Sequence, residues 1–165
     1  MVTSKHLFFI SILLCLVVVL GLYLFPSKEK RVKKQLNNLT EYASKKRNEP
    51  TLKTLTKTTR ISGLFAENCI LKISNPKIEG NYSRKEIMDR VNRVRNSFSR
   101  LKVSFYDITI HFTSDTSSVV LLTMRLLGKS KAEEFTDVQE VKLKMQEIRG
   151  KWLISGIELV DILER

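Results

Sequence analysis

The 165-residue chain has few of the residues that build disulfides, metal centres and phosphate loops. It contains two cysteines and two histidines, and its six glycines are scattered rather than gathered in one loop. Cys15 lies in an apolar run and Cys69 is the one cysteine of the remainder, so no intrachain disulfide is predicted. His6 and His111 lie far apart in the chain. The sequence therefore predicts no metal site, no nucleotide loop and no cofactor.

Acidic residues are also scarce, since 29 lysines and arginines stand against 17 aspartates and glutamates, for a net charge of +12. The excess is concentrated near the N-terminus. Such clusters attract anionic lipid headgroups, and they also fix the orientation of a membrane span. Both interpretations stay open. The residues predicted to contact a membrane surface are Lys28, Lys30, Arg31, Lys33 and Lys34, and a second basic run follows at residues 45–47.

Charge is absent from residues 7–25, from Leu7 to Phe25, a stretch long enough to cross a bilayer as one helix. The apolar run ends in large side chains such as Tyr23, whereas a signal-peptidase site has small residues. This difference favours a retained anchor. The predicted organisation is a tail (1–6), a transmembrane helix (7–25), a basic linker (26–34) and a folded domain (35–165). We expect a single-pass protein of a bacterial inner membrane. The basic flank favours a cytoplasmic domain, whereas comparable bacterial proteins with short tails often export theirs, so the side stays open.

Apolar periodicity predicts three helices in the domain. The first has Val32, Leu36, Leu39 and Ala43 on one face. The second follows Pro50, and its predicted apolar positions are Leu52, Leu55, Ile61 and Leu64. The third begins at a capping box formed by Ser83 and Glu86, and its predicted stripe is Ile87, Val91, Val94 and Phe98. Its arginines, including Arg95, are expected on the solvated face.

Alternating apolar residues predict a short strand at 69–73 and four long antiparallel strands from Leu101 onward. Leu101, Val103 and Phe105 have the opposite parity from Ile108 and Ile110. A bulge or strong bend near Phe105 would bring both sets to one face. The predicted fold class is α+β.

This order resembles the nuclear transport factor 2-like, SnoaL and ketosteroid isomerase superfamily over roughly residues 30–163. The segments that carry the resemblance are LFAEN at 64–68, GNYS at 80–83 before Ile87, and GKWLI at 150–154. The resemblance implies a cone-shaped domain in which about three helices pack on a curved, mainly antiparallel sheet. It also implies a pocket between helices and sheet. Because these segments belong to the scaffold, they indicate fold more than activity.

No residue aligns by motif with a catalytic residue of that superfamily. If the chain is an enzyme, the candidates are Asp107, His111, Tyr106 and Glu67. Asp107 and His111 share a strand parity opposite to Ile108 and Ile110, so they are expected to face water. Cys69 is expected in the core rather than as a nucleophile, and Trp152 as a packing residue.

The preferred function is a membrane-tethered, non-catalytic binding or scaffold module whose concave sheet face or pocket takes a protein, peptide or lipid. The alternative is a SnoaL or ketosteroid isomerase-like lyase or isomerase. Expected partners are the bilayer, anionic headgroups, and a second copy of the chain or an envelope protein. Nucleic acid is disfavoured, because arginines spread around a helix more often form a solvated face.

Overall fold

The computed structural model describes residues 13–16, 26–73, 78–130 and 133–160. The predicted membrane span lies outside these ranges except for residues 13–16, which are helical and exposed. Within the described ranges, no helix is both long enough and apolar enough to cross a membrane. By their internal contacts, residues 1–32 and residues 33–165 form two units.

Helix α1, Lys28–Ala43, begins inside the segment predicted as a linker. Its start is set by Ser27, whose hydroxyl accepts a hydrogen bond from the backbone N–H of Lys30 at 3.3 Å. Residues 28–34 of the predicted basic linker are therefore helical. The predicted stripe is confirmed, since Val32 and Leu36 are fully buried and Leu39 and Ala43 partly so.

Helix α2, Thr51–Ser62, buries a different face from the predicted one. Ile61 and Leu64 are buried as expected, but Leu52 and Leu55 are 77% and 61% exposed, so that part of the prediction is wrong. The buried face instead includes polar side chains. The hydroxyl of Thr58 donates to Oδ1 of Asn92 at 2.6 Å, which satisfies a polar contact that the apolar pattern does not reveal.

Strand β1, Phe65–Ile73, is longer than predicted, and it pairs antiparallel with β2, Ile78–Ser83, a strand that the apolar pattern did not predict. Helix α3, Arg84–Ser97, starts at the predicted capping box, in which Ser83 Oγ and the Glu86 carboxylate each accept a backbone N–H of the other residue. Its predicted stripe is partly wrong, because Val94 is 49% exposed and Arg95 is 1% exposed.

The four long strands are confirmed as β3, Arg100–Ser114; β4, Ser117–Lys129; β5, Glu134–Ile148; and β6, Lys151–Val160. Each is antiparallel to the next. Strand β1 joins β6 in parallel, which gives a six-stranded mixed sheet in the order β2-β1-β6-β5-β4-β3. The chain is thus α+β with a curved sheet and few helices.

The predicted change of parity in β3 is confirmed as a bulge. The pairing with β4 shifts between Tyr106 and Thr109, and Asp107 has a φ of 52°. As a result, residues on both sides of the bulge face the same side of the sheet. We call this side the core face. It carries the buried residues Leu101, Val103, Val120, Leu122, Leu143 and Ile154, and the opposite side is the outer face.

Candidate functional site: a basic pocket above a buried ionic cluster

Three of the four predicted catalytic candidates lie on the outer face of the sheet. Tyr106, Asp107 and His111 are exposed. The hydroxyl of Thr123 donates to Oδ2 of Asp107 at 3.3 Å, and Tyr106 lies opposite Thr123 in the β3–β4 register. His111 lies opposite Val119, four residues further along β4, which places it roughly 13 Å away.

The fourth candidate, Glu67, is exposed on β1. Strands β6, β5 and β4 separate β1 from β3, so Glu67 is roughly 19 Å from the candidates on β3. Of the four candidates, only Asp107 lines an outer-face hollow, of about 260 Å³; Tyr106 precedes it in the chain, and His111 and Glu67 lie apart from them. These four residues do not converge on one reacting atom.

A buried ionic cluster, which sequence analysis missed, lies between the helices. It consists of Glu49, Lys57 and Arg95. Glu49 Oε1 accepts from Arg95 Nη2 at 2.7 Å, and Glu49 Oε2 accepts from Lys57 Nζ at 2.9 Å. The side chains of Glu49 and Arg95 are each 1% exposed and that of Lys57 is 10% exposed. Burial of charges at this level is costly unless they are paired, as they are here.

The environment of Glu49 lowers its carboxyl pKa. Burial by itself would raise this pKa, but the hydrogen bond from Lys57, the backbone N–H of Lys46 and the positive charges of Lys57 and Arg95 outweigh that effect. Glu49 is thus held as a carboxylate with both oxygens occupied. A carboxylate in this state is a poor general base, which would need a raised pKa and a free lone pair.

The segment between α1 and α2 places basic residues above this cluster. The backbone groups of Lys45 and Leu101 exchange two hydrogen bonds, of 2.7 and 3.0 Å, and so attach the segment to the edge of β3. Val103 N–H donates to Ser44 Oγ at 3.0 Å, next to this bridge. Asn48 makes the turn with a φ of 57°, a conformation that asparagine tolerates better than most residues.

These contacts create an open hollow of about 470 Å³, the basic pocket. Seven of its ten lining residues are lysine or arginine and one is an acid. The amino groups of Lys45 and Lys57 already donate to protein oxygens. The remaining five basic side chains make no hydrogen bond or ion pair within the described part of the chain; they are Lys46, Arg47, Lys53, Arg100 and Lys102.

The N-terminus of α2 adds to the positive character of the basic pocket. Pro50 precedes the helix, no side chain caps its first N–H groups, and its first turn has no acidic residue. The first N–H groups of a helix and its dipole favour anions at this end. The arrangement can therefore bind a phosphate or carboxylate group through side chains and backbone together.

Part of this pocket is evident in the sequence, although the pocket itself is not. The basic run at residues 45–47 stands out in the sequence, but its charge alone does not distinguish a pocket from a cluster that flanks a membrane span. Arg100 and Lys102 alternate with Leu101 and Val103 on β3, which indicates outward-facing cations. Arg100 and Lys102 lie close to residues 45–47 because Lys45 forms a backbone bridge with Leu101, and no local pattern predicts that bridge.

The other predicted site residues have simpler environments. Burial raises the pKa of the Cys69 thiol to about 11, and the side chain is 1% exposed, as expected of a core residue. Trp152 is also 1% exposed, and its ring meets Phe112 edge-on with a centroid distance of 5.6 Å. In the described ranges no group of three or more His, Cys, Asp or Glu residues could hold a metal ion.

The residues predicted to contact a membrane surface are on the first turns of α1. Lys30, Lys33 and Lys34 are exposed, and Lys28 and Arg31 are half-buried. Their contact with lipid stays a prediction. On α3, Arg95 belongs to the ionic cluster, Arg84 Nε donates to the carbonyl of Phe65 at 2.7 Å, and the Arg90 guanidinium lies 4.4 Å from the Tyr82 ring centroid. Arg84, Arg90 and Arg95 thus make contacts within the fold, whereas Arg93 is exposed.

No protein-family profile and no curated protein sequence matches the chain. Solved structures do match, with low sequence identity. One is an NTF2-like protein with a cystatin-like fold from Novosphingobium aromaticivorans, with a TM-score of 0.65, 8% identity, and 91% of this chain and 90% of the other covered. A putative scytalone dehydratase from Novosphingobium aromaticivorans DSM 12444 has a TM-score of 0.63, 14% identity and coverage of 84% and 89%.

A third match is LinA, with a TM-score of 0.64, 12% identity and coverage of 80% of this chain and 84% of the other. At these identities the likeness shows the fold and not the activity. The folded part of the chain thus has the nuclear transport factor 2-like, or cystatin-like, fold that its sequence resembles.

Proposed function

From this fold and this pocket, we propose that the chain is a membrane-tethered binding module, without catalytic activity, that captures an anionic ligand in the basic pocket. The predicted span at residues 7–25 supplies the tether. One observation carries the proposal: five cationic side chains that have no hydrogen-bond or ion-pair partner among the described residues line one hollow, and a single acid, Glu41, lines it with them. Like charges gathered in this way repel one another, and a bound anion would offset that repulsion.

The ionic cluster supports a binding role rather than catalysis. Arg95 and Lys57 use their charges on Glu49, and both also donate to the carbonyl of Ser44, at 3.5 and 2.8 Å. They therefore hold the backbone that presents the basic pocket. Binding by pre-positioned groups loses less free energy to ordering than binding by mobile ones.

A titration would test the proposal. The full chain, held in neutral phosphatidylcholine nanodiscs, is titrated with pyrophosphate by calorimetry at low salt. We expect saturable binding that weakens as salt is raised. Lys46→Glu combined with Lys102→Glu should weaken it by at least about tenfold, since each reversal replaces an attraction by a repulsion.

The matched control reverses two exposed lysines outside the pocket, Lys85→Glu with Lys151→Glu, which changes the net charge equally. Equal weakening in both double variants would mean that pyrophosphate responds only to net charge. That result, or no saturable binding by the parent chain, would refute the basic pocket as the binding site.

A lyase or isomerase is the second candidate, because the fold is similar to that of a putative scytalone dehydratase. Glu41 would then be the base, as the one carboxylate that lines the basic pocket. The two functions differ in the fate of the ligand. A binding module releases its ligand unchanged, whereas an enzyme alters it, and mass spectrometry of ligand recovered from the chain distinguishes them.

A further inference from the structure

A second hollow adjoins the basic pocket and differs from it in character. This apolar groove has a volume of about 330 Å³ and lies between α1 and α2, where Tyr42, Pro50 and Leu52 line it. The groove and the basic pocket share three lining residues, Glu41, Lys53 and Lys57. The two hollows therefore lie next to each other along α2.

Two leucines of α2 are unusually open to solvent: Leu52, which lines the groove, and Leu55, which follows it on the helix without being part of the lining. Leu52 is 77% exposed and Leu55 is 61% exposed, and they are three residues apart on α2, on one face of the helix. The other large apolar side chains described in residues 33–165 are at most 49% exposed, the value at Val94. An exposed apolar strip beside a charged pocket is a feature of ligand-binding surfaces.

The rim of the groove is cationic. The Arg60 guanidinium lies 5.7 Å from the Tyr42 ring centroid, and Lys53 stands where groove and pocket meet. Long basic side chains cover apolar surface with their methylene stems while their charged ends remain in water. The two hollows thus present an apolar strip that leads into a cluster of cations.

We propose that the basic pocket and the apolar groove bind one ligand, an anionic lipid of the bilayer. Its phosphate lies in the basic pocket against Lys46, Lys53 and Lys102, and its acyl chain lies along Leu52 and Leu55. Charge complementarity favours an anionic headgroup in the basic pocket, and the apolar groove next to it favours a ligand that also carries a chain. This inference rests on the proposed function, because it requires that the basic pocket binds anions.

Two soluble probes separate the inference from the proposed function. The full chain in neutral phosphatidylcholine nanodiscs is titrated with glycerol 3-phosphate, which has no chain, and with dihexanoyl phosphatidic acid. The lipid should bind at least about tenfold more tightly, because its chains remove apolar surface from water. Equal affinity for the two probes overturns the lipid proposal but leaves anion binding intact. No binding of either probe removes both proposals.

Substitutions in the groove sharpen the test. Leu52→Ser with Leu55→Ser should reduce the affinity for the lipid to that for glycerol 3-phosphate, and should leave the glycerol 3-phosphate affinity within about twofold. Both leucines are exposed, so the fold should persist. The control is Leu121→Ser, at a leucine that is 43% exposed on the outer face, which should change neither affinity. If the control weakens lipid binding as much as the pair, the groove is not the site.

Hydrogen exchange distinguishes lipid of the bilayer from lipid in solution. In nanodiscs rich in phosphatidylglycerol, the backbone amides of residues 51–56 should exchange at least about threefold more slowly than in neutral nanodiscs, with no soluble lipid added. The Leu52→Ser and Leu55→Ser pair should abolish that difference. Slowing that occurs only after soluble lipid is added would overturn the bilayer as the source.

Discussion

Two groups of ionisable side chains in this domain differ in burial and in pairing. The ionic cluster of Glu49, Lys57 and Arg95 is buried, and its carboxylate accepts charged hydrogen bonds of 2.7 and 2.9 Å. On the outer face, Asp107 and His111 are exposed, and the bond to Asp107 is 3.3 Å long. A cluster that is buried and paired is costly to break, whereas exposed groups of this kind contribute little to stability.

The contrast shows which polar residues support a function here. The outer-face group has the residue types of an acid–base site, yet its members are spread along a strand. The ionic cluster lacks a free acid or base, yet it fixes the carbonyl of Ser44 and hence the segment that carries Lys45, Lys46 and Arg47. Residues of catalytic type that lie apart are thus weaker evidence for a functional site than side chains that contact one another.

The largest expected effect comes from breaking the cluster. Arg95→Met leaves Glu49 buried with Lys57 as its remaining charged partner, and we expect the free energy of unfolding to fall by about 3 kcal/mol. Urea unfolding followed by circular dichroism measures it. Arg93→Met, two residues earlier on α3 and exposed, is the control and should change stability by less than about 0.5 kcal/mol.

The double variant Glu49→Leu with Arg95→Met sharpens the comparison. It replaces the closest pair by apolar side chains, so it should be less destabilised than the sum of the single variants. Strict additivity in this cycle would mean that the two side chains do not interact across their 2.7 Å contact. If Arg95→Met lowers the free energy of unfolding by less than about 1 kcal/mol, the cluster contributes no more than an exposed ion pair does.

A smaller loss of stability is expected at acidic pH. Because the folded-state pKa of Glu49 lies below its ordinary value, the unfolded chain binds a proton more readily than the folded chain. The stability that Glu49 contributes is fully present above the ordinary carboxyl pKa of about 4.3, and it is lost as the pH falls from there through the lowered folded value.

Glu49→Gln tests this linkage, since glutamine cannot titrate. The difference in unfolding free energy between the parent chain and this variant should be constant above about pH 5 and should shrink toward about pH 3. Urea unfolding at several pH values measures the difference. A difference that stays constant over this whole range would show that the Glu49 pKa is not lowered in the folded protein.

Much of the fold was predictable because it depends on residues that are close together in the sequence. The capping box of Ser83 and Glu86, the four antiparallel strands and the bulge that follows Phe105 all depend on spacing within a few residues. Strand β2 was missed because GNYS contains turn-forming residues, and its pairing with β1 provides the hydrogen bonds that define it.

The candidate site was harder to predict, because its contacts join distant parts of the chain. Glu49 and Arg95 are 46 residues apart, and Lys45 and Leu101 meet through a backbone bridge. On α3, Val94 fits the apolar repeat better than Arg95 does. Arg95 is nevertheless the buried residue, because its guanidinium pairs with the Glu49 carboxylate. A paired charge inside a domain overrides the helical pattern, and a single sequence gives no sign of the partner.

The smallest expected effect lies on the outer face. Asp107 has a φ of 52°, which asparagine tolerates as well as aspartate does, so Asp107→Asn should change the free energy of unfolding by less than about 0.5 kcal/mol. Asp107→Val should cost about 1 to 2 kcal/mol, because a β-branched side chain is strained at positive φ. Both are measured by urea unfolding. If Asp107→Asn costs as much as Asp107→Val, the charge of Asp107 matters more than the backbone of the bulge, and the contrast between the two groups would weaken.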